Sequence, residues 1–415
     1  MLALVPCLAI PAKTQTAKLL KAQQHMEALQ YADAQRIYER LYRKDETNQT
    51  ALVGLAETYR RQGQLDEAAA WFSKATQQES AEAFVFYRYG QILFQLRGCE
   101  AAQPIFNRYL LMMPYAEDRE VLRDVCAYRE QLTAVESQLT TVTQPDFNGP
   151  GSDIAPAFYQ EGLLFGSVRQ EDEKALPAYD LYFTQPTTNG RLDQAITYSE
   201  AERFSDKLNT EVNEAIVTFS PDGQEVYFTR NQTQMVSEKN PIRRLEIIVS
   251  KKGEDGTWSI PEPLPFNSLD YNTAHPALTP DGSRLFFASD RPGGFGGKDI
   301  YYVDRIGDIW SSPINLGPAA NTTGDELYPH YHADGVLYFA SEGHLGLGGL
   351  DVFRTEDVGD GLWGPVSNLG TPINSSADDF AFIHHPTDDY GFFTSNRAGG
   401  AGQDDIYAFQ QQRVQ

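Results

Sequence analysis

The chain has 415 residues, enough for two or three domains. Hydrophobic content of 41% and charged content of 22% match ordinary globular usage and exclude wholesale disorder. With 34 basic against 57 acidic residues the formal charge is −23, which argues against nucleic acid and against docking on anionic lipid.

The first twelve residues, MLALVPCLAIPA, are apolar and uncharged. Residues 1–14 therefore read as a secretory signal-like segment, without the usual basic start. Cys7 is either an apolar residue of that segment or a lipidation site; Pro6 before it departs from the lipoprotein pattern. No apolar run reaches the ~18–20 residues that span a bilayer, so no transmembrane span is expected.

A helical repeat follows. Ala22, Ala56 and Gly90 are 34 residues apart, as are Ala34, Ala68 and Ala102, and Tyr38, Phe72 and Phe106. The small residues fall where two helices of a hairpin approach closely, and the aromatics where the second helix packs on its neighbours. Pro114 ends the third unit, where a helix must stop. This pattern resembles the tetratricopeptide (TPR) repeat, with units at 15–48, 49–82 and 83–116. Residues 117–138 then read as one capping helix, with Val121, Leu122, Val125, Tyr128 and Leu132 on one stripe. Cys99 and Cys126 fall in this region; they could pair in an oxidising compartment, but the preferred reading is two buried free thiols.

TPR arrays present a concave groove lined by the first helix of each unit. The resemblance assigns Thr50, Val53, Glu57, Arg60 and Arg61 to it in unit two. In unit three it assigns Phe84, Tyr87, Gln91, Phe94 and Gln95. An aromatic patch beside an arginine pair suits an extended or helical peptide. The alternative is that these aromatics pack against the capping helix or the next domain.

From about residue 150 short alternating strands take over. Turns recur at Pro221-Asp222-Gly223, Pro280-Asp281-Gly282 and Ala333-Asp334-Gly335, with drifted copies at 160–162 and 386–388. Each is followed by an apolar–aromatic strand such as Leu285-Phe286-Phe287, then a glycine-rich loop, then a strand such as Asp299-Ile300-Tyr301. Trp258, Trp310 and Trp363, at spacings of 52 and 53, are expected to open a fourth strand. Four strands per unit and five units read as a β-propeller over 139–411. The fifth unit lacks its fourth strand, and Val142-Thr143-Gln144 with Asn148 matches Pro313-Ile314-Asn315 with Asn321. Residues of about 139–147 are therefore expected to supply the outer strand of the last blade.

The fold class expected is α + β multidomain: an N-terminal TPR α-solenoid, then a five-bladed all-β propeller. The block resembles the WD40-like "PD" propeller repeat of TolB-type and other envelope proteins. The combination resembles Bacteroidetes envelope proteins, namely the N-terminal part of PorE-like, OmpA-family components of type IX secretion. That resemblance implies a periplasmic or outer-membrane-associated scaffold whose partners are other envelope proteins or peptide segments. No peptidoglycan-binding domain follows, so peptidoglycan is expected only through a partner.

No catalytic constellation stands out: there is no Gly-x-Ser-x-Gly elbow, His-Glu-x-x-His or P-loop. The glycine-rich loop after Asp290-Arg291 recurs after Ser341-Glu342 and Asn396-Arg397, so it belongs to the blade repeat. The repeated Asp or Glu before Ile-Tyr, Glu246 in the second unit, is expected to anchor that loop to a backbone N–H. No cofactor or metal is expected. His275, His330, His332 and His385 are candidates for the channel or its rim, as metal or ligand groups or as plain packing residues; His384 has the opposite parity. Paired carboxylates would have to come from inner strands, where Glu214 and Asp379 are the only acids identified. An enzyme or small-ligand sensor using the channel is the second reading.

Overall fold

A computed structural model describes residues 11–27, 30–116, 118–134, 140–169, 178–187, 196–233, 243–359 and 361–411. Cys7 and residues 1–10 of the signal-like segment lie outside the described residues; helix α1 (Pro11–Glu27) starts within that segment. The chain divides into two compact units, residues 1–130 and 131–415.

The first unit is helical. After α1 come α2 (Tyr31–Tyr42), α3 (Gln49–Arg61), α4 (Leu65–Thr76), α5 (Ala83–Arg97) and α6 (Cys99–Met112). The small-residue columns are packing positions. A Cβ on Gly90 would stand 2.6 Å from the Phe106 ring, and one on Gly54 would stand 2.5 Å from Tyr38. Ala22, Ala34, Ala56, Ala68, Phe72, Ala102 and Phe106 are fully buried. Asn48 caps α3 by accepting the Ala51 N–H at 2.9 Å. Gly98 alone joins α5 to α6 at φ 85°, a left-handed value that suits glycine.

The single capping helix expected over 117–138 is instead two, α7 (Arg119–Arg123) and α8 (Val125–Leu132), with residues 117 and 135–138 outside the described set. Asp124 breaks it at φ −141°, ψ 77°, and its carboxylate caps α8 through the Ala127 N–H at 3.0 Å. The two thiols are also not free. Cys99 and Cys126 form a disulfide, their Cα atoms 5.0 Å apart. It ties the start of α6 to α8.

The second unit is a five-bladed propeller of antiparallel sheets. Blade one is β2 (Asp153–Tyr159), β3 (Gly162–Ser167), β4 (Asp180–Thr184) and β5 (Glu202–Arg203). Blade two is β6 (Glu214–Phe219), β7 (Glu225–Asn231), β8 (Leu245–Lys251) and β9 (Glu262–Pro263). Blade three is β10 (Thr273–Leu278), β11 (Arg284–Ser289) and β12 (Asp299–Ile306), with β13 (Ile309–Trp310) and β14 (Ile314–Asn315) both on β12. Blade four repeats this with β15 (Glu326–Tyr331), β16 (Val336–Ser341), β17 (Asp351–Gly359), β18 (Leu362–Trp363) and β19 (Ser367–Asn368). Blade five is β20 (Asp379–His384), β21 (Tyr390–Ser395) and β22 (Asp405–Gln411), and its outer strand is β1 (Thr140–Thr143) from the start of the unit. Val142 pairs with Phe409.

The tryptophans do not open the fourth strand. Trp310 and Trp363 close a hairpin on the far end of β12 and β17, and the fourth strand follows as β14 and β19. Trp258 makes only an isolated bridge to Lys252.

A buried or half-buried asparagine stitches each blade. Asn321 accepts the Ile300 N–H at 2.8 Å and donates to its carbonyl at 3.0 Å. Asn209 does the same for Leu181, Asn267 for Ile247 and Asn374 for Val352. Asn148 reaches 258 positions along the chain to Ile406, accepting at 2.9 Å and donating at 2.8 Å. The ring is thus closed by the same amide chemistry that holds each blade.

Candidate functional site: the repeat groove and the propeller channel

The groove positions lie on α3 and α5. Glu57 accepts from Arg60 Nε at 2.8 Å, and the Arg88 guanidinium of α5 lies 3.9 Å away. Burial opposes ionisation of Glu57, but Arg60, Arg88 and Arg61 outweigh it and hold the carboxyl below its ordinary range. Arg88 also donates to Gln91 at 3.1 Å. Glu57 thus lies between Arg60 and Arg88, and Arg88, a buried residue outside the groove positions taken from the TPR pattern, continues the chain to Gln91. Arg61 is exposed.

The aromatic patch is divided. Phe94 is fully buried, with Arg129 of α8 over its ring at 5.2 Å and bonded to its carbonyl at 2.9 Å. Tyr87 packs on Phe106 and Tyr109, with ring centroids 5.9 and 5.1 Å away. Burial pushes its phenol well up, and the hydrogen bond to Asp118 adds to this. Only Phe84 of the three is open, at 40% exposure. It sits one turn before Tyr87, beside the end of α6. Leu111 (76% exposed), Met112, Met113 and Tyr115 (93% exposed), at and just after the end of α6, are further exposed apolar residues that the sequence reading had not marked. The signal was present as Leu-Leu-Met-Met-Pro-Tyr at the close of the third unit.

In the propeller, every inner strand carries a bulge whose residue is left-handed: Ala155, Ile216, His275, Tyr328 and Ala381, with φ between 50° and 59°. The bulge turns backbone N–H groups toward the neighbouring blade, where side chains accept them. Thr394 takes the N–H of Ala155 at 2.9 Å, and Thr229 that of His275 at 2.8 Å. His275 Nδ1 takes the N–H of Tyr328 at 3.2 Å, and its ring stacks on Tyr328 at 4.0 Å. His330 Nε2 takes the N–H of His384 at 3.1 Å. Burial pushes both imidazoles down to about 3, so each is neutral and fit to accept.

A cavity of about 250 Å³ occupies the channel at the face of the inner-strand turns. His330, His332 and His384 line it; His275 and His385 do not. His275 is buried between blades, while the His385 ring stacks on Tyr390 at 4.6 Å at the edge of Phe158. His332 is held by Asp334 at 2.8 Å and by the His385 carbonyl at 3.1 Å. No Asp, Glu, Lys or Arg is among the lining residues.

The inner-strand acids stand elsewhere. Besides Glu214 and Asp379, Asp153 and Glu326 start inner strands, and all four are buried. Glu326 accepts from Thr322 N and Oγ1 at 2.8 and 2.6 Å and from Ser341 at 2.8 Å. Glu214 repeats this with Thr210 and Asp379 with Ser375. Burial pushes Glu214 and Glu326 up to about 7, against the pull of those bonds. The acid before Ile-Tyr holds its loop in blades three and four, where Asp299 accepts the Phe295 N–H at 2.7 Å and Asp351 that of Gly348 at 2.9 Å, whereas Glu246 of blade two pairs with Arg230 at 2.8 Å. Among the described residues the metal-type cluster is Cys99, Glu100 and Cys126, whose thiols are already bonded to each other.

Residues 25–84 match the tetratricopeptide repeat family model. The helical half is a TPR array, and the strand half is a five-bladed β-propeller. No curated protein matches the sequence. Among solved structures, the TPR half is similar to the first TPR of Spaghetti (RPAP3) bound to an HSP90 peptide, at 18% identity over 29% of this chain and 98% of that one, TM-score 0.27. It is similar also to the Yersinia enterocolitica type III secretion chaperone SycD in complex with a peptide of the translocator YopD, at 16% identity over 29% and 98%, TM-score 0.27. A Mycobacterium tuberculosis puromycin-hydrolyzing peptidase is similar over 60% of this chain and 35% of its own, at 15% identity and TM-score 0.32.

Proposed function

We propose that the protein is a non-catalytic scaffold of the bacterial envelope, working in the periplasm or at the outer membrane. It binds envelope proteins or their peptide segments through the TPR half and the propeller faces, in type IX secretion or envelope assembly. The observation that carries this reading is the set of exposed apolar residues in the third repeat, Phe84 at the start of α5 and Leu111, Met112, Met113 and Tyr115 at and just after the end of α6. Exposed apolar residues grouped in this way mark interaction sites, and methionines adapt to the shape of a partner. The Cys99–Cys126 disulfide suits an oxidising compartment. No helix among the described residues is long and apolar enough to cross a membrane. A non-catalytic role is supported by the channel lining, which lacks carboxylates, and by inner-strand acids already bonded to their own loops.

The test is capture of partners from envelope extract by the full chain, compared with a Phe84→Ser/Tyr115→Ser variant. A partner retained by the wild type and weakened about tenfold or more in the variant supports the reading, since that corresponds to ~1.4 kcal/mol of lost contact. Equal capture by both would contradict it.

A further inference from the structure

The channel cavity has a donor pattern that blade structure alone does not require. At one level the five inner strands present Ala157, Thr218, Ala277, His330 and Ile383, each paired with the equivalent residue of its second strand. All five line the cavity. Three are apolar. The other two, on blades two and four, each accept a backbone N–H from the following blade: Thr218 Oγ1 from Leu278 at 3.2 Å, and His330 Nε2 from His384 at 3.1 Å.

Accepting that bond fixes what each group has left. The Thr218 hydroxyl keeps its own hydrogen, which finds no acceptor among the described residues. A neutral imidazole with its lone pair on Nε2 carries its hydrogen on Nδ1, and the His330 Nδ1 has no partner among the described residues. At this level the cavity therefore holds two unused donors on different blades, between Ala157, Ala277 and Ile383, and the adjoining His384 ring, both of whose nitrogens are buried without a hydrogen-bond partner among the described residues, adds a third polar group to the lining. An ion would lose its hydration here without meeting a counter-charge, since no charged side chain lines the space. About 250 Å³ lies just below the ~300–1,000 Å³ of typical ligand sites, which restricts the occupant to a small molecule.

We propose that the propeller channel is a binding site for a small uncharged molecule that carries two hydrogen-bond acceptors on an apolar body, such as a cyclic diamide, with its acceptors on Thr218 Oγ1–H and His330 Nδ1–H. Unlike an envelope partner on the TPR half, this ligand uses the second unit alone.

The probes are cyclo(Gly-Pro) and, as a charged compound of similar size, benzoate, each titrated into the full chain. Binding is followed by ligand-observed NMR and by the ¹⁵N resonances of the His330 imidazole. The expected result is saturable binding of cyclo(Gly-Pro) that shifts the His330 Nδ1 signal, with benzoate weaker. Ala277→Leu fills the cavity from blade three without touching either donor, and should weaken binding about tenfold or more. His330→Gln, which keeps both an acceptor and a donor, should retain binding, while His330→Leu should lose it; the melting temperature of each variant shows that it is folded. Failure of cyclo(Gly-Pro) to bind the wild type, undiminished binding to Ala277→Leu, or tighter binding of benzoate would each overturn the proposal.

Discussion

In the TPR half, Gly90 lies under Phe106 and Gly54 under Tyr38, so neighbouring helices are held by shape: a missing side chain on one receives a ring from the other. In the propeller, Asn148, Asn209, Asn267, Asn321 and Asn374 hold outer segments to third strands through paired amide bonds, and threonines and histidines accept N–H groups across blades. The difference follows from the backbone. A helix satisfies its own N–H and C=O groups, so helix–helix contact needs only complementary volume. A blade leaves edge groups unpaired at its centre and rim, and burying them demands polar partners. The last helices of the TPR array carry a disulfide and several exposed apolar side chains, whereas the propeller closes on itself.

The contrast can be broken most severely at the closure. Deleting residues 140–147 removes β1 together with the buried Phe147, and should cost the propeller upwards of ~4 kcal/mol. Thermal unfolding followed at strand and helix wavelengths should show the strand transition falling while the helical one stays. Asn148→Ala is the next largest, at about 3 kcal/mol, because two buried backbone groups of Ile406 lose their partner. Asn209→Ala, which breaks the same pair of bonds within blade one, should cost about as much in denaturant unfolding; a much cheaper Asn148 change would mean that closure does not depend on this stitch. Gly90→Val forces a Cβ into the Phe106 ring and should cost about 1–3 kcal/mol, read as a lower midpoint of the helical transition alone.

The smallest effect is on pH dependence. Burial, with the charge of Lys298 adding to it, pushes His275 from 6.5 down to about 3. Below about pH 6.5 the unfolded chain takes up a proton that the folded chain refuses, so this part of the stability is intact above 6.5 and drains as pH falls toward 3. Glu214 and Glu326, raised from 4.5 to about 7, drain in the other direction, as pH rises through that interval. His275→Asn keeps an acceptor for the Tyr328 N–H without titrating. It should flatten the acid-side loss by at most ~1.4 kcal/mol per pH unit, measured as the midpoint of unfolding at a series of pH values.

Both folds were legible because repeats expose their own packing rules. The column Ala22, Ala56, Gly90 marks helix contact whatever the rest of the unit does, and the Pro-Asp-Gly turns mark the inner hairpins. The match of Asn148 to Asn321 pointed to the outer strand now seen at Thr140–Thr143. What stayed hidden depends on single residues that break a pattern. The apolar stripe runs straight across Asp124, so nothing periodic betrayed the helix break there. Asp153 and Glu326 were missed because Thr273 stands at the same place in blade three. Cysteine pairing depends on a 5.0 Å approach that no spacing in the sequence specifies. Groove roles were the least legible: Tyr87 and Phe94 match the pattern by position, but α8 and Asp118 already occupy them.

The most direct test of the scaffold reading is site-specific photo-cross-linking in cells, with benzoylphenylalanine placed at Phe84 or Tyr115 and, as a control, at Ile260, an exposed apolar position on the propeller. A scaffold that binds through the third repeat gives a discrete covalent adduct with an envelope protein from positions 84 and 115. No adduct from either position, or the same adduct yield as from 260, would contradict it.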